Sequence, residues 1–151
     1  MPEYSAKSVA ALMRRDVVTV GPGESVLEAD RLMRLGRIRH LPVVENGLLV
    51  GVLSHRDVVE VSIAKLEEVA PEERIEHLRR TPIERLLRDH RPRTVEAECS
   101  LREAALTMLR LKIGCLPVVK PGPEGLQLIG ILTESDLLRA AYVPDFAEAS
   151  D

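Results

Sequence analysis

The chain repeats itself, and that constrains its fold more than any other feature. Displaced by 75 positions, Asp16–Val44 falls on Arg91–Val119 without a gap, and eleven of the twenty-nine pairs are identical. The identities are Thr19/Thr94, Val20/Val95, Ser25/Ser100, Glu28/Glu103, Ala29/Ala104, Met33/Met108, Ile38/Ile113, Leu41/Leu116, Pro42/Pro117, Val43/Val118 and Val44/Val119. After a four-residue insertion the match resumes, with Gly51-Val-Leu-Ser-His-Arg-Asp57 over Gly130-Ile-Leu-Thr-Glu-Ser-Asp136. Self-similarity of this kind means one supersecondary unit used twice. The 151 residues leave room for one ordinary domain or two very small ones sharing a core. The expected division is residues 1–70, a first repeat with an N-terminal segment and connecting helix, and 71–151, a second repeat with a C-terminal tail.

Each repeat spells the same order of elements. Val17–Val20 and Arg93–Val95 are short β-branched runs, the first ending in the turn Gly21-Pro22-Gly23. Ser25-x-x-Glu28 and Ser100-x-x-Glu103 are capping boxes, in which the serine hydroxyl accepts from an orphan N–H and the glutamate reaches back. Behind them Val26, Ala29 and Met33, and Leu101, Ala104, Ala105 and Met108, follow helical spacing on one face. Leu41–Val44 and Leu48–Leu53 are two strands joined through Asn46-Gly47, a strong hairpin signal. In the second repeat that connection expands to a loop over Lys120–Gly125. Further helices open at Ser54 and Thr133. The pattern is β-α-β-β-α, twice. Lys65–Ala70 continues the helix from Ser54 until Pro71 interrupts it, and Thr81-Pro82-Ile83-Glu84 reads as the capped start of another helix. Units this small bury little alone, so the two sheets are expected to pack together as one cooperative body.

Composition excludes several classes of function. A hydrophobic share of 45% and a charged share of 30% describe a globular chain, not a disordered one. A formal charge of −3 argues against a general nucleic-acid binder, which needs a basic surface to displace counterions. The apolar run Leu48–Leu53 falls far short of the ~20 residues of a membrane span. Cys99 and Cys115 form no CxxC pair and read as reduced thiols, so the chain is expected in the cytoplasm. Cys115, ahead of an apolar strand, reads as a small buried hydrophobe. No pair of the four histidines has metal-ligand spacing, and the Glu67–Glu76 charge run reads as a solvated face. Nothing calls for a cofactor.

Ile38-Arg-His-Leu-Pro-Val-Val44, a hairpin, then Gly51-Val-Leu-Ser-x-x-Asp57 resembles the signature of a CBS domain. Ile113-Gly-Cys-Leu-Pro-Val-Val119 followed by Gly130-Ile-Leu-Thr-x-x-Asp136 repeats it. The resemblance covers about residues 8–141. It implies an α/β pair of tandem β-α-β-β-α CBS repeats with pseudo-two-fold symmetry and two clefts, which in that family commonly take AMP, ADP, ATP or S-adenosylmethionine. By the same resemblance Thr133 and Asp136 would face Thr19, Val20, Arg39, His40 and Pro42. Ser54, Arg56 and Asp57 would face Thr94, Val95, Gly114, Cys115 and Pro117.

The residues make chemical sense of such a site without the name. A hydroxyl at a helix start, with a carboxylate three residues on, sits beside free N–H groups and the positive end of the helix dipole, which suit a phosphate. The carboxylate can accept both hydrogen bonds of a ribose diol. Gly51 and Gly130 would let backbone approach a ligand closely. The bland reading is that Ser54-x-x-Asp57 and Thr133-x-x-Asp136 are only capping boxes, and that Arg39 and His40 are solvated strand-edge residues. Since repeat 1 carries Arg39-His40 where repeat 2 carries Gly114-Cys115, the cleft of Thr133 and Asp136 is expected to hold phosphate better.

Three functions follow in order. The first is a regulatory adenosyl-binding sensor acting through a separate effector protein or through self-association. The second is an interaction module with empty clefts. An enzyme comes third, for want of a nucleophile–base pair, metal cluster or phosphate loop. A homodimer is expected, formed through the helices carrying Val26, Met33, Leu101 and Met108. The aromatics Tyr4, Tyr142 and Phe146 near the chain ends would be anchored on the neighbour.

Overall fold

The computed structural model describes residues 7–63, 69–87 and 91–144. Its regular elements are α1 (Val26–Gly36), β1 (His40–Glu45), β2 (Leu48–Ser54), α2 (His55–Ile63), α3 (Pro71–Arg80), α4 (Leu101–Leu111), β3 (Cys115–Gly122), β4 (Gly125–Thr133) and α5 (Glu134–Tyr142), with 3₁₀ turns at Val9–Ala11 and Ile83–Leu86. The expected mixed α/β architecture is present in both repeats. Ser25 and Ser100 cap α1 and α4, each accepting from the backbone N–H three residues on. Val26, Ala29 and Met33, like Leu101, Ala104 and Met108, are buried, and Ala105 is half-buried. Both helices end on a residue in the left-handed region, Arg37 (φ 52°) and Lys112 (φ 54°).

The first strand of each repeat is shorter than its sequence suggests. Val20 and Val95 each form a single parallel bridge, to Val43 and Val118. Val20 N–H donates to Pro42 and Val44 N–H donates to Val20; Val95 does the same with Pro117 and Val119. The next hydrogen bond of either ladder would need an N–H from Pro42 or Pro117, and proline has none.

β1 and β2 form an antiparallel hairpin closed by Asn46 and Gly47, both at positive φ (53° and 80°), as the primed turn requires. In the second repeat the expected loop over Lys120–Gly125 is mostly strand. β3 and β4 stay paired as far as Gly122↔Gly125 and leave only Pro123 and Glu124 in the turn. Both hairpins carry a register shift at the same place, between Val43 and Val44 and between Val118 and Val119.

Pro71 opens α3 at its first turn, where the missing N–H costs nothing. One further expectation is corrected. Thr81 ends α3 instead of starting another helix, because its hydroxyl donates to the His77 carbonyl at 2.6 Å; only a 3₁₀ turn follows. The proposed continuation of α2 over Lys65–Ala70 lies largely outside the described residues, as do Glu67, His90, Tyr4 and Phe146.

The chain forms two compact units, residues 18–92 and residues 1–17 with 93–151. These differ from the division at residue 70, because each repeat's leading segment joins the other repeat's core. Ile83 is fully buried with Val26, Met33, Leu41 and Leu53 in the first unit; Val9 is fully buried with Leu101, Met108, Leu116 and Leu132 in the second. The backbone contacts match. Ile83 N–H donates to Glu24 and Val26 N–H to Thr81, while Val9 N–H donates to Cys99 and Leu101 N–H to Lys7.

Candidate functional site

In the unit formed by residues 18–92, β2 runs straight into α2 at Ser54. Ser54 N–H and hydroxyl both donate to Asp57 Oδ2 (2.8 and 2.7 Å), and Asp57 N–H donates back to Ser54 Oγ. This is a complete capping box. Ser54 pairs with His40 across the hairpin, and His55 N–H donates to the Arg39 carbonyl at 2.7 Å. Arg39, His40 and the helix start therefore share one end of the hairpin. Val20 meets the same strand at Pro42 and Val44. Thr19, Arg39 and Arg56 are exposed, His40 and Asp57 are half-buried, and Val20 and Pro42 are buried.

The second unit repeats the arrangement. Thr133 N–H and Oγ1 donate to Asp136 Oδ2, both at 2.9 Å, and Asp136 N–H donates to Thr133 Oγ1. Cys115 pairs with Thr133, and Glu134 N–H donates to the Gly114 carbonyl. Val95 meets Pro117, and Thr94 is half-buried beside it. Cys115 is buried, and burial pushes its thiol up to about 12; it is a small hydrophobe, as expected. Burial and then the Glu103 carboxylate raise the half-buried Cys99 thiol as well.

The two carboxylates differ in their surroundings. Asp136 is 3% exposed, and its Oδ1 accepts from Arg14 Nε at 3.0 Å. Arg139, one turn along α5, stands 3.6 Å from the same oxygen. Sequence reading missed both arginines. Arg139 follows Asp136 by three residues, a spacing that was there to be noticed. Arg14 lies 122 residues away, and only the fold brings it in. A cavity of about 750 Å³ opens here, lined by Arg14, Arg15, Asp16, Asp136 and Arg139 among others.

The glycines preceding the two helix starts have an internal role rather than the expected one toward a ligand. A Cβ on Gly130 would lie 2.9 Å from the Arg14 carbonyl and from Met13 Sδ; one on Gly51 would lie 2.8 Å from Leu87. Gly130 thus lets the 13–14 segment lie on β4, where Arg14 and Ile131 exchange two 2.9 Å backbone hydrogen bonds. Among the described residues, no group of three His, Cys, Asp or Glu side chains could hold a metal ion. None of their helices is long and apolar enough to cross a membrane.

The repeated hairpin-to-helix junction is matched by known proteins. The sequence profile of the CBS domain fits residues 9–64 and again 73–143. The chain belongs to the CBS-domain family. This CBS chain is 35% identical over 135 residues to the inosine-5'-monophosphate dehydrogenase of Korarchaeum cryptofilum, a match covering 88% of the chain and 24% of the dehydrogenase. Among solved structures it is similar to CBSX2 in complex with AMP, with a TM-score of 0.73 and 29% identity over 93% of this chain and 100% of that one. It is also similar to protein MJ1225 of Methanocaldococcus jannaschii, with a TM-score of 0.75 and 27% identity over 90% of this chain and 48% of that one. The chain spans less than half the length of the first curated relatives it matches.

Proposed function

We propose that this CBS pair is a regulatory module that binds an adenosyl ligand, AMP, ADP, ATP or S-adenosylmethionine, and is not itself a catalyst. One observation carries the reading: in each unit a hydroxyl and a carboxylate meet at a helix start beside a Leu-Pro-Val strand. The AMP complex of the similar CBSX2 chain supports an adenine nucleotide as the first ligand to try. Asp57 and Asp136 accept from the ribose, Ser54 and Thr133 present the helix start to phosphate, and Arg39, His40 and Arg56 supply positive charge. Thr19, Val20, Pro42, Thr94, Val95, Gly114, Cys115 and Pro117 contribute shape. The module works in the cytoplasm and signals through an effector protein or its own association.

Self-association as a homodimer is part of the proposal, but the residues first expected to supply its surface do not. Val26, Met33, Leu101 and Met108 are in the cores; among the described residues the exposed large apolar positions on the helices are Leu35, Ile75, Leu109, Leu111, Leu138 and Tyr142. Light scattering showing a monomer at micromolar concentration would refute the dimer.

The competing reading, an interaction module without nucleotide, draws on the same geometry. Each hydroxyl–carboxylate pair already satisfies itself as a cap. Calorimetry decides between them. Saturation at about one hundred times the dissociation constant should stabilise the fold by roughly 2.7 kcal/mol, which raises the melting temperature by several degrees. Asp136→Ala should remove most binding and Asp57→Ala less. Failure of every adenosyl ligand to bind leaves the interaction module.

A further inference from the structure

Two helices of the same unit carry complementary exposed stripes. On α4, Arg102, Leu106 and Leu109 are four and three residues apart and so share a face; Arg102 and Leu109 are exposed and Leu106 is half-buried. On α5, Glu134, Leu138 and Tyr142 are each four apart and all exposed. Leu109 at 74%, Leu138 at 59% and Tyr142 at 81% leave much apolar surface in water, which disfavours an unpartnered face. Each stripe opens with a charge, of opposite sign on the two helices. Among the described residues neither the Arg102 nor the Glu134 side chain has an ion-pair partner. With a rise of 1.5 Å per residue, apolar side chains follow the charge at about 6 and 10.5 Å on α4 and at about 6 and 12 Å on α5. Laid parallel, the stripes match: Arg102 with Glu134, Leu106 with Leu138, Leu109 with Tyr142. The two helices already pack on each other within the unit, yet these side chains stay exposed, so the match is not used inside the chain. The first repeat lacks it. The α1 positions equivalent to Leu106 and Leu109 are Arg31 and Arg34, whose charges are met within the helix by Glu28 and Asp30, and the α2 position equivalent to Glu134 is His55.

Resting on the homodimer proposed above, we infer that two copies join through α4 and α5 alone, α4 of each lying parallel to α5 of the other, with α1 and α2 outside the contact. A two-fold axis makes the same contact twice, so both stripes of both copies are covered. The apolar pairs exclude water at the centre, and Arg102 with Glu134 closes the rim and sets the register.

Light scattering and sedimentation of the full chain test this. Leu138→Arg and Tyr142→Glu should each raise the dimer dissociation constant by about ten-fold or more, whereas Leu35→Glu on α1 should leave it unchanged. Arg102→Glu and Glu134→Arg should each weaken the dimer a few-fold, and the two together should restore it, because the pair is re-formed with its signs exchanged. All of these positions are exposed, and a circular dichroism melt of each variant verifies its fold. A dimer indifferent to Leu138→Arg and Tyr142→Glu overturns the interface while leaving the homodimer standing. Failure of the double charge exchange to restore association overturns the parallel register. A wild type that is monomeric at micromolar concentration removes the homodimer and this interface with it.

Discussion

Cys115 illustrates how one position in a repeat can exchange chemistry for packing. Its counterpart in the first repeat is His40, half-buried at the edge of β1, while Cys115 is buried at the head of β3. The folded thiol stays protonated to about pH 12 because burial penalises the thiolate, whereas an unfolded cysteine ionises near pH 8.5. Below that value the residue makes stability no more pH-dependent. Above it the unfolded state loses a proton that the folded state keeps, so stability declines as the pH rises toward 12. Cys115→Val should flatten that alkaline decline in urea titrations. An unaltered slope would mean that the thiol is reached by solvent. Arg39 makes the complementary prediction on the other repeat: Arg39→Ala should weaken AMP binding much more than adenosine binding, since only the phosphate loses a charged partner.

Among the elements, the hairpins show what a sequence pattern can and cannot specify. Asn46-Gly47 named its own turn, because both residues tolerate positive φ. The insertion before Gly125 gave no such instruction, and the strands grew to absorb it. Gly51 and Gly130 occupy equivalent places in the repeat but are crowded by different neighbours. Alanine at Gly51 meets the end of the Leu87 side chain, which can rotate; alanine at Gly130 meets the Arg14 carbonyl as well as Met13. Gly130→Ala should therefore cost more than Gly51→Ala, in the range of about 1–3 kcal/mol for overpacking a tight site. It should also loosen the Arg14 segment from β4. Chemical denaturation of the two variants compares them directly, and equal losses would refute the crowding argument.

At the level of the whole molecule, the leading segments decide which fragment can fold. Residues 1–70 look like a repeat, but they lack Ile83 and the flanking Leu78, Leu86 and Leu87, all packed on the first core. Removing a fully buried isoleucine alone costs about 2–5 kcal/mol, more than so small a unit can spare. Residues 1–70 are expected to show no cooperative melt, whereas residues 18–92 contain every member of that core and should show one. Circular dichroism melts of the two fragments provide the comparison. A sharp transition from 1–70 would show that the 81–87 segment is dispensable.

The sequence by itself determined the duplication, the α/β order, the two helix caps at Ser25 and Ser100, the Asn-Gly turn and the hydroxyl–carboxylate pairs at Ser54/Asp57 and Thr133/Asp136. The duplication is plain from comparing the chain with itself, and the others depend on residues within a few positions of one another, where periodicity and spacing encode contact directly. Tertiary structure decided the rest. That Val9 and Ile83 complete the cores beside the opposite repeats, that Pro42 and Pro117 cut the first strands to single bridges, and that Arg14 rests on Asp136 are facts of chain segments meeting in space. No local pattern carries such pairings, because the energy of a long-range contact depends on burial and geometry that exist only once the chain has folded.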